Sequence, residues 1–136
     1  MKTRVRRRKY LVEATVMLVL ARLAVRFLPP ARVFDWANRS PRRVRRFAVD
    51  EIGWVSWSVE TIGAARWMNA LCLPRALAAH AMLRRRGVAS RLCLGVAREA
   101  GALVAHAWVE AAGAKIVGGA AAGAFSPIAA FGGARG

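Results

Sequence analysis

The chain has 136 residues, 57% of them hydrophobic and 22% charged, with 23 Lys and Arg against 7 Asp and Glu and a net charge of +16. This length suits one domain with one modest core, expected over residues 1–136. Two cysteines are too few for a disulfide framework, and no Cys or His cluster has zinc-ligand spacing, so no metal site is expected.

The positive charge is uneven. Residues 1–50 hold 14 Lys and Arg against Glu13, Asp35 and Asp50. Such a balance suits an acidic peptide or an anionic membrane surface. The arginine clusters at 4–9, 39–46 and 84–86 come with no nucleic-acid-binding motif, so nucleic acid is not the expected partner.

Met1 to Lys9 is basic and Leu11 to Leu28 mostly apolar, an order that imitates a targeting signal. Glu13, Arg22 and Arg26 interrupt the run, which falls short of the roughly 20 apolar residues of a spanning helix. The expectation is a cytoplasmic protein whose first helix packs on the domain or touches the inner membrane from its surface. Leu11, Val12, Thr15, Val16, Leu18, Val19, Leu23 and Phe27 recur at helical spacing, and Pro29-Pro30 ends that helix. Residues 31–50 read as a basic connector.

A second helix is predicted over Val49 to Ala65, with Ile52, Val55, Val59 and Ile62 on one face and Trp54 and Trp57 beside it. A third starts near Cys72, carries Pro74 in its first turn and ends at Gly87. Ser90 to Ala97, Val104 to Ala111 and Ala114 to Gly118 read as strands, with a turn at Gly113. Ser126-Pro127-Ile128 and Phe131 are expected to dock on the sheet. Helices followed by strands indicate an α+β fold: a basic helical part over 1–65, then over 66–136 a core with a helix packed on a small antiparallel sheet.

Two residues then carry chemistry. Cys72 enters the third helix, where unpaired N–H groups and the macrodipole favour a thiolate. His106, on a later strand, is the matching acid and base. His80, on the apolar side of the Cys72 helix, reads as a packing residue, and Cys93 as structural. Trp54, Trp57 and Trp67 read as core or partner-docking residues. Trp108 reads as a wall or lid beside the site, and both it and Arg75 as candidate contacts for substrate or partner. Asn69 is a candidate oxyanion donor beside the Cys72 N–H.

Cys72, the segment Leu83-Arg84-Arg85-Arg86-Gly87-Val88-Ala89-Ser90-Arg91 and the segment His106-Ala107-Trp108-Val109-Glu110 together resemble the transglutaminase-like cysteine peptidase superfamily, with its papain-like core. Within it, Cys72-Leu73-Pro74-Arg75-Ala76-Leu77-Ala78 followed by the Gly87-to-Val96 segment and Ala105-to-Glu110 is similar to the stand-alone leader peptidases of bacterial lasso-peptide biosynthesis. The resemblance implies a cysteine endopeptidase that removes the leader from a ribosomally made precursor peptide. It implies a small leader-recognition protein and an asparagine-synthetase-like macrolactam cyclase as partners, and no metal or organic cofactor.

The chain departs from that family at the third catalytic member, often an aspartate on the strand after the histidine strand. Here Gly118 and Gly119 stand near the place opposite His106, and no Asp or Glu follows Glu110. A hairpin turning at Ala112-Gly113 would set Gly119 opposite His106. Glu110 shares the His106 face but lies roughly 13 Å along the strand. A backbone carbonyl or Ser126 is left to orient the imidazole. The missing aspartate also motivates the alternative of a catalytically weak, peptide-binding scaffold.

Overall fold

A computed structural model of the chain describes residues 2–39, 49–68, 70–118 and 125–132. Within them the order is α1 (Lys2–Phe27), α2 (Pro30–Ala37), α3 (Val49–Ala64), α4 (Cys72–Arg85), then β1 (Ser90–Glu99), β2 (Ala102–Ala111), β3 (Ala114–Val117) and β4 (Ser126–Gly132). The fold is α+β, and the sheet is antiparallel throughout with the order β3-β2-β1-β4.

α4 is the central element. It packs against α1 and α3 and against β1 and β2. Pro74, Ala76, Leu77, Ala78, Ala79, His80, Met82 and Leu83 are therefore buried around most of its circumference. Its alanines let neighbours on both sides approach, as a helix sandwiched between two layers requires. Gly87, at φ +72°, closes it in the left-handed conformation that favours glycine. There the Val88 N–H reaches the Leu83 carbonyl at 2.9 Å and the Gly87 N–H the Arg84 carbonyl at 3.0 Å.

α1 buries Tyr10, Ala14, Leu18 and Ala21, a stripe at four- and three-residue spacing. Of the apolar residues whose spacing predicted this helix, only Leu18 is fully buried; Val12, Val16, Val19, Leu23 and Phe27 are exposed. Two of the four contact positions, Ala14 and Ala21, are alanines that let the neighbouring helices approach closely, and the long side chains beside them point outward. Glu13, which breaks the apolar run, is clamped by the α4 C-terminus. Its carboxylate accepts from Arg85 at 2.6 Å and from both terminal nitrogens of Arg86. Among the described residues no helix is long and apolar enough to cross a membrane.

Residues 30–37 are not connector but helix, with Pro30 in the first turn and Val33 and Ala37 buried. Phe34 stacks on Phe131 of β4, ring centroids 4.7 Å apart. Eight residues are too few for periodicity to stand out, so the flanking arginines hid the element. The cluster from Arg42 to Arg46 lies outside the described residues. The arginines at 84–86 form no free basic patch: Arg84 donates to the Trp36 carbonyl at 2.9 Å, and the other two hold Glu13.

The strands run longer than predicted at the β1–β2 end, where Glu99 pairs with Ala102 across the turn Ala100-Gly101. β4 does dock, pairing with β1 from Arg91↔Gly132 to Val96↔Ser126.

Candidate active site

The connection from α3 to α4 delivers Cys72, and it is held at several points. Ala70 N–H donates to the Gly63 carbonyl at 2.9 Å and Met68 N–H to the Ala65 carbonyl at 3.0 Å. Arg75 folds back over this turn, giving Nε–H to the Ala70 carbonyl at 2.8 Å and an Nη2 hydrogen to the Gly63 carbonyl at 3.0 Å. Gly63 makes room for that side chain, since a Cβ there would meet Arg75 Nε at 2.8 Å. Arg75 was expected to face a substrate or partner. Instead it braces the approach to Cys72, with Nη1 at 3.9 Å from Glu60 Oε1. From α1, Arg22 donates to the Met68 carbonyl at 3.0 Å. Asn69, the candidate oxyanion donor, lies outside the described residues.

Cys72 is the first residue of α4, after Leu71 in extended conformation and with no side-chain cap. Pro74, in the first turn, has no N–H to leave unpaired. The Cys72 side chain is half-buried against the main core.

His106 is placed by β2. Ala107, Val109 and Ala111 on that strand join the core that includes α4. His106, Trp108 and Glu110 alternate onto the other face. There His106 stacks on Phe125 with centroids 5.0 Å apart and on Trp108 at 6.1 Å. Phe125 escaped the sequence reading, because only the return of the chain along β4 brings it beside the imidazole. Gly95, paired with His106 across the sheet, allows the stack: a Cβ there would meet the Trp108 ring at 2.8 Å.

His106 Nε2 lies 2.8 Å from the carbonyl oxygen of Gly118. A carbonyl only accepts, so Nε2 carries the hydrogen and Nδ1 keeps its lone pair. The hairpin turns at Ala112-Gly113 as read from sequence, but a bulge between Val109 and Glu110 shifts the register and the ladder stops at Val117. Gly119 lies outside the described residues, and Ser126 is exposed at the start of β4. Gly118 has φ +71°, and a Cβ on it would meet the Ala107 carbonyl oxygen at 2.8 Å and His106 Nε2 at 3.2 Å.

The structure therefore gathers His106, Gly118, Trp108 and Phe125. It does not bring Cys72 to them: Cys72 packs with the core on the α4 side of the sheet, His106 faces the other side, and among the described residues no hydrogen bond joins the thiol to the imidazole. Trp108, read as a substrate contact, is only 2% exposed and offers no surface. It forms the wall behind His106 and points its indole N–H toward Glu110 Oε1 at 3.4 Å.

The remaining two candidates are interior groups. Cys93 is buried beside Trp108, and burial, reinforced by the Glu110 carboxylate, pushes its thiol pKa up to about 11. His80 bridges three elements: its Nε2–H donates to the Ala37 carbonyl at 2.7 Å, so Nδ1 accepts from the Ser90 hydroxyl at 2.7 Å. Burial lowers its pKa below the ordinary 6.5, with Arg84 nearby acting the same way against the Ala37 bond. Among the described residues no three His, Cys, Asp or Glu side chains cluster as a metal site.

A family model described as transglutaminase-like superfamily matches residues 15–130. No curated protein and no solved structure matches the chain.

Proposed function

The chain belongs to the transglutaminase-like superfamily, whose members are often cysteine peptidases or acyltransferases, and from that premise we propose that it is a cysteine endopeptidase acting through Cys72 and His106. The observation that carries this reading is the His106–Gly118 bond. It leaves Nδ1 as the one basic nitrogen; His106 faces the side of the sheet turned away from α4, so the reaction requires the start of α4 and the imidazole to close on each other.

In this mechanism the Cys72 thiol gives its proton to His106 Nδ1, and the sulfur attacks the scissile carbonyl. The C–N bond breaks as the imidazolium protonates the departing amine, leaving a thioester on Cys72. His106 then takes a proton from water, whose oxygen displaces the sulfur. The N–H groups of the first α4 turn, with Asn69, supply the oxyanion donors. Gly118 acts as the positioning residue that an aspartate side chain provides elsewhere.

The finer reading follows the motifs. The substrate is a lasso-peptide precursor cut at its leader–core junction, with a small leader-recognition protein holding the leader and an asparagine-synthetase-like cyclase closing the ring afterwards. One observation favours a second reading, a peptide-binding scaffold without turnover: Cys72 and His106 face opposite sides of the sheet and share no hydrogen bond. Mass spectrometry of a precursor encoded beside this chain, incubated with its recognition protein, separates the two. A single leader cut, lost in Cys72→Ala and in His106→Ala and kept in Cys93→Ala, is the expected result. Tight precursor binding with no cut by the wild type would sink the peptidase reading.

A further inference from the structure

Beside the start of α4 lies an open groove of about 590 Å3, walled on one side by α1 and on the other by the residues around Cys72. Leu71, immediately before Cys72, and Pro74, two residues after it, line the α4 side. Leu23 and Val25 line the α1 side, with Arg22 and Arg26 rising from the same wall. Leu71 is 75% exposed, immediately before Cys72. A large apolar residue that open at a helix start contributes nothing to the core.

The two arginines distinguish this groove from the other exposed apolar surface of α1. Among the described residues, no carboxylate pairs with either. Arg22 has one nitrogen on the Met68 carbonyl, which fixes its stem at the groove, and its other donors have no partner among the described residues. Arg26 lies over the Phe27 ring at 5.7 Å, one turn along. The described arginines that pair with acids here, Arg75, Arg85 and Arg86, meet them on neighbouring helices. Two planar guanidinium forks one turn apart suit carboxylates on an extended chain.

We propose that this groove is a subsite for the peptide substrate, taking a segment in which aliphatic side chains alternate with Asp or Glu within about three residues of the cut bond. The aliphatic side chains lie on Leu23, Val25 and Leu71, and the carboxylates meet Arg22 and Arg26. At about 3.3 Å per extended residue, a strand passing Leu71 and Pro74 brings its backbone past Cys72 within that span. This subsite rests on the peptidase reading for its purpose, but its binding can be read without turnover.

The test uses the full chain with Cys72→Ala and two fluorescein-labelled decapeptides, one alternating Leu with Glu and one alternating Leu with Lys, with anisotropy recorded at 150 mM salt. The Glu peptide is expected to bind at least about tenfold tighter than the Lys peptide. In Arg22→Glu/Arg26→Glu that order reverses, and in Arg26→Glu, which leaves the Met68 bond in place, it shrinks. In Arg6→Glu/Arg7→Glu it persists. A preference that follows Arg6 and Arg7 and ignores Arg22 and Arg26 overturns the subsite as a mere effect of net charge. Equal binding of both peptides overturns it too, and if Arg22→Glu/Arg26→Glu then loses affinity for vesicles of phosphatidylglycerol and phosphatidylcholine, the groove is a membrane contact instead. Absence of precursor cleavage alongside a preference that tracks Arg22 and Arg26 rejects the peptidase and leaves the groove standing.

Discussion

The Gly118 carbonyl oxygen sits 2.8 Å from His106 Nε2 and assigns the imidazole its tautomer without any charged group. A carbonyl holds the ring as firmly in direction as a carboxylate does, but stabilises the imidazolium less, because it carries only a partial charge. A Cβ on residue 118 would sit against both the Ala107 carbonyl and that nitrogen, and the backbone there is left-handed. Gly118→Ala should therefore move the carbonyl off the ring. We expect kcat/KM for a cleaved peptide to fall by about 10- to 100-fold. The strained φ should cost about 1–2 kcal/mol of stability by denaturant titration. Full activity in a folded Gly118→Ala protein would show that His106 is oriented by something else.

The two thiols should differ sharply toward alkylation. Cys93 is buried and its pKa stands near 11, so at pH 7.5 it is almost wholly protonated and screened from reagent. Cys72 is half-exposed at a helix start. Iodoacetamide at pH 7.5 should add one group, and peptide mapping should find it on Cys72. An adduct on Cys93 under native conditions would mean that the Trp108 wall opens.

His80 makes stability depend on acid. Its native pKa lies below 6.5, whereas the unfolded chain takes up the proton near 6.5. The stability it contributes is present above that value and declines as pH falls below it toward the native pKa. His80→Ala leaves the Ala37 carbonyl and the Ser90 hydroxyl without their partner and opens a cavity, at a cost of about 2–4 kcal/mol at pH 7.5. The gap between wild type and variant should narrow at pH 5.5. A gap that stays constant in urea titrations at both pH values would show that His80 is not held neutral.

Gly63 tests whether the Arg75 brace positions Cys72. A Cβ at residue 63 meets Arg75 Nε and Cδ at 2.8 and 3.0 Å, so Gly63→Val should dislodge the guanidinium from the Ala70 and Gly63 carbonyls. Peptide cleavage should drop about tenfold with KM little changed, since the turn before Cys72 loses its hold while the groove wall remains. Arg75→Lys, which cannot reach both carbonyls with a planar fork, should share the defect. Normal cleavage by both variants would confine Arg75 to stability.

What the chain's text alone determined is local. Pro74 and Gly87 mark the beginning and end of α4, because a missing N–H is harmless in a first turn and a left-handed residue closes a last one. The alternation from Val104 to Ala111 identifies a strand and puts His106, Trp108 and Glu110 on one face, since side chains alternate with a period of two. What only the tertiary structure decided depends on which surfaces meet. The α1 stripe that packs is Tyr10, Ala14, Leu18 and Ala21, chosen by how closely α4 approaches rather than by hydropathy. The orienter of His106 is a backbone atom, which every residue type carries and no pattern of side chains can announce. It falls at Gly118, one residue past the last β2–β3 pair, Val109↔Val117, where the backbone turns left-handed and leaves the ladder, a departure that depends on how two strands pair rather than on either strand read alone.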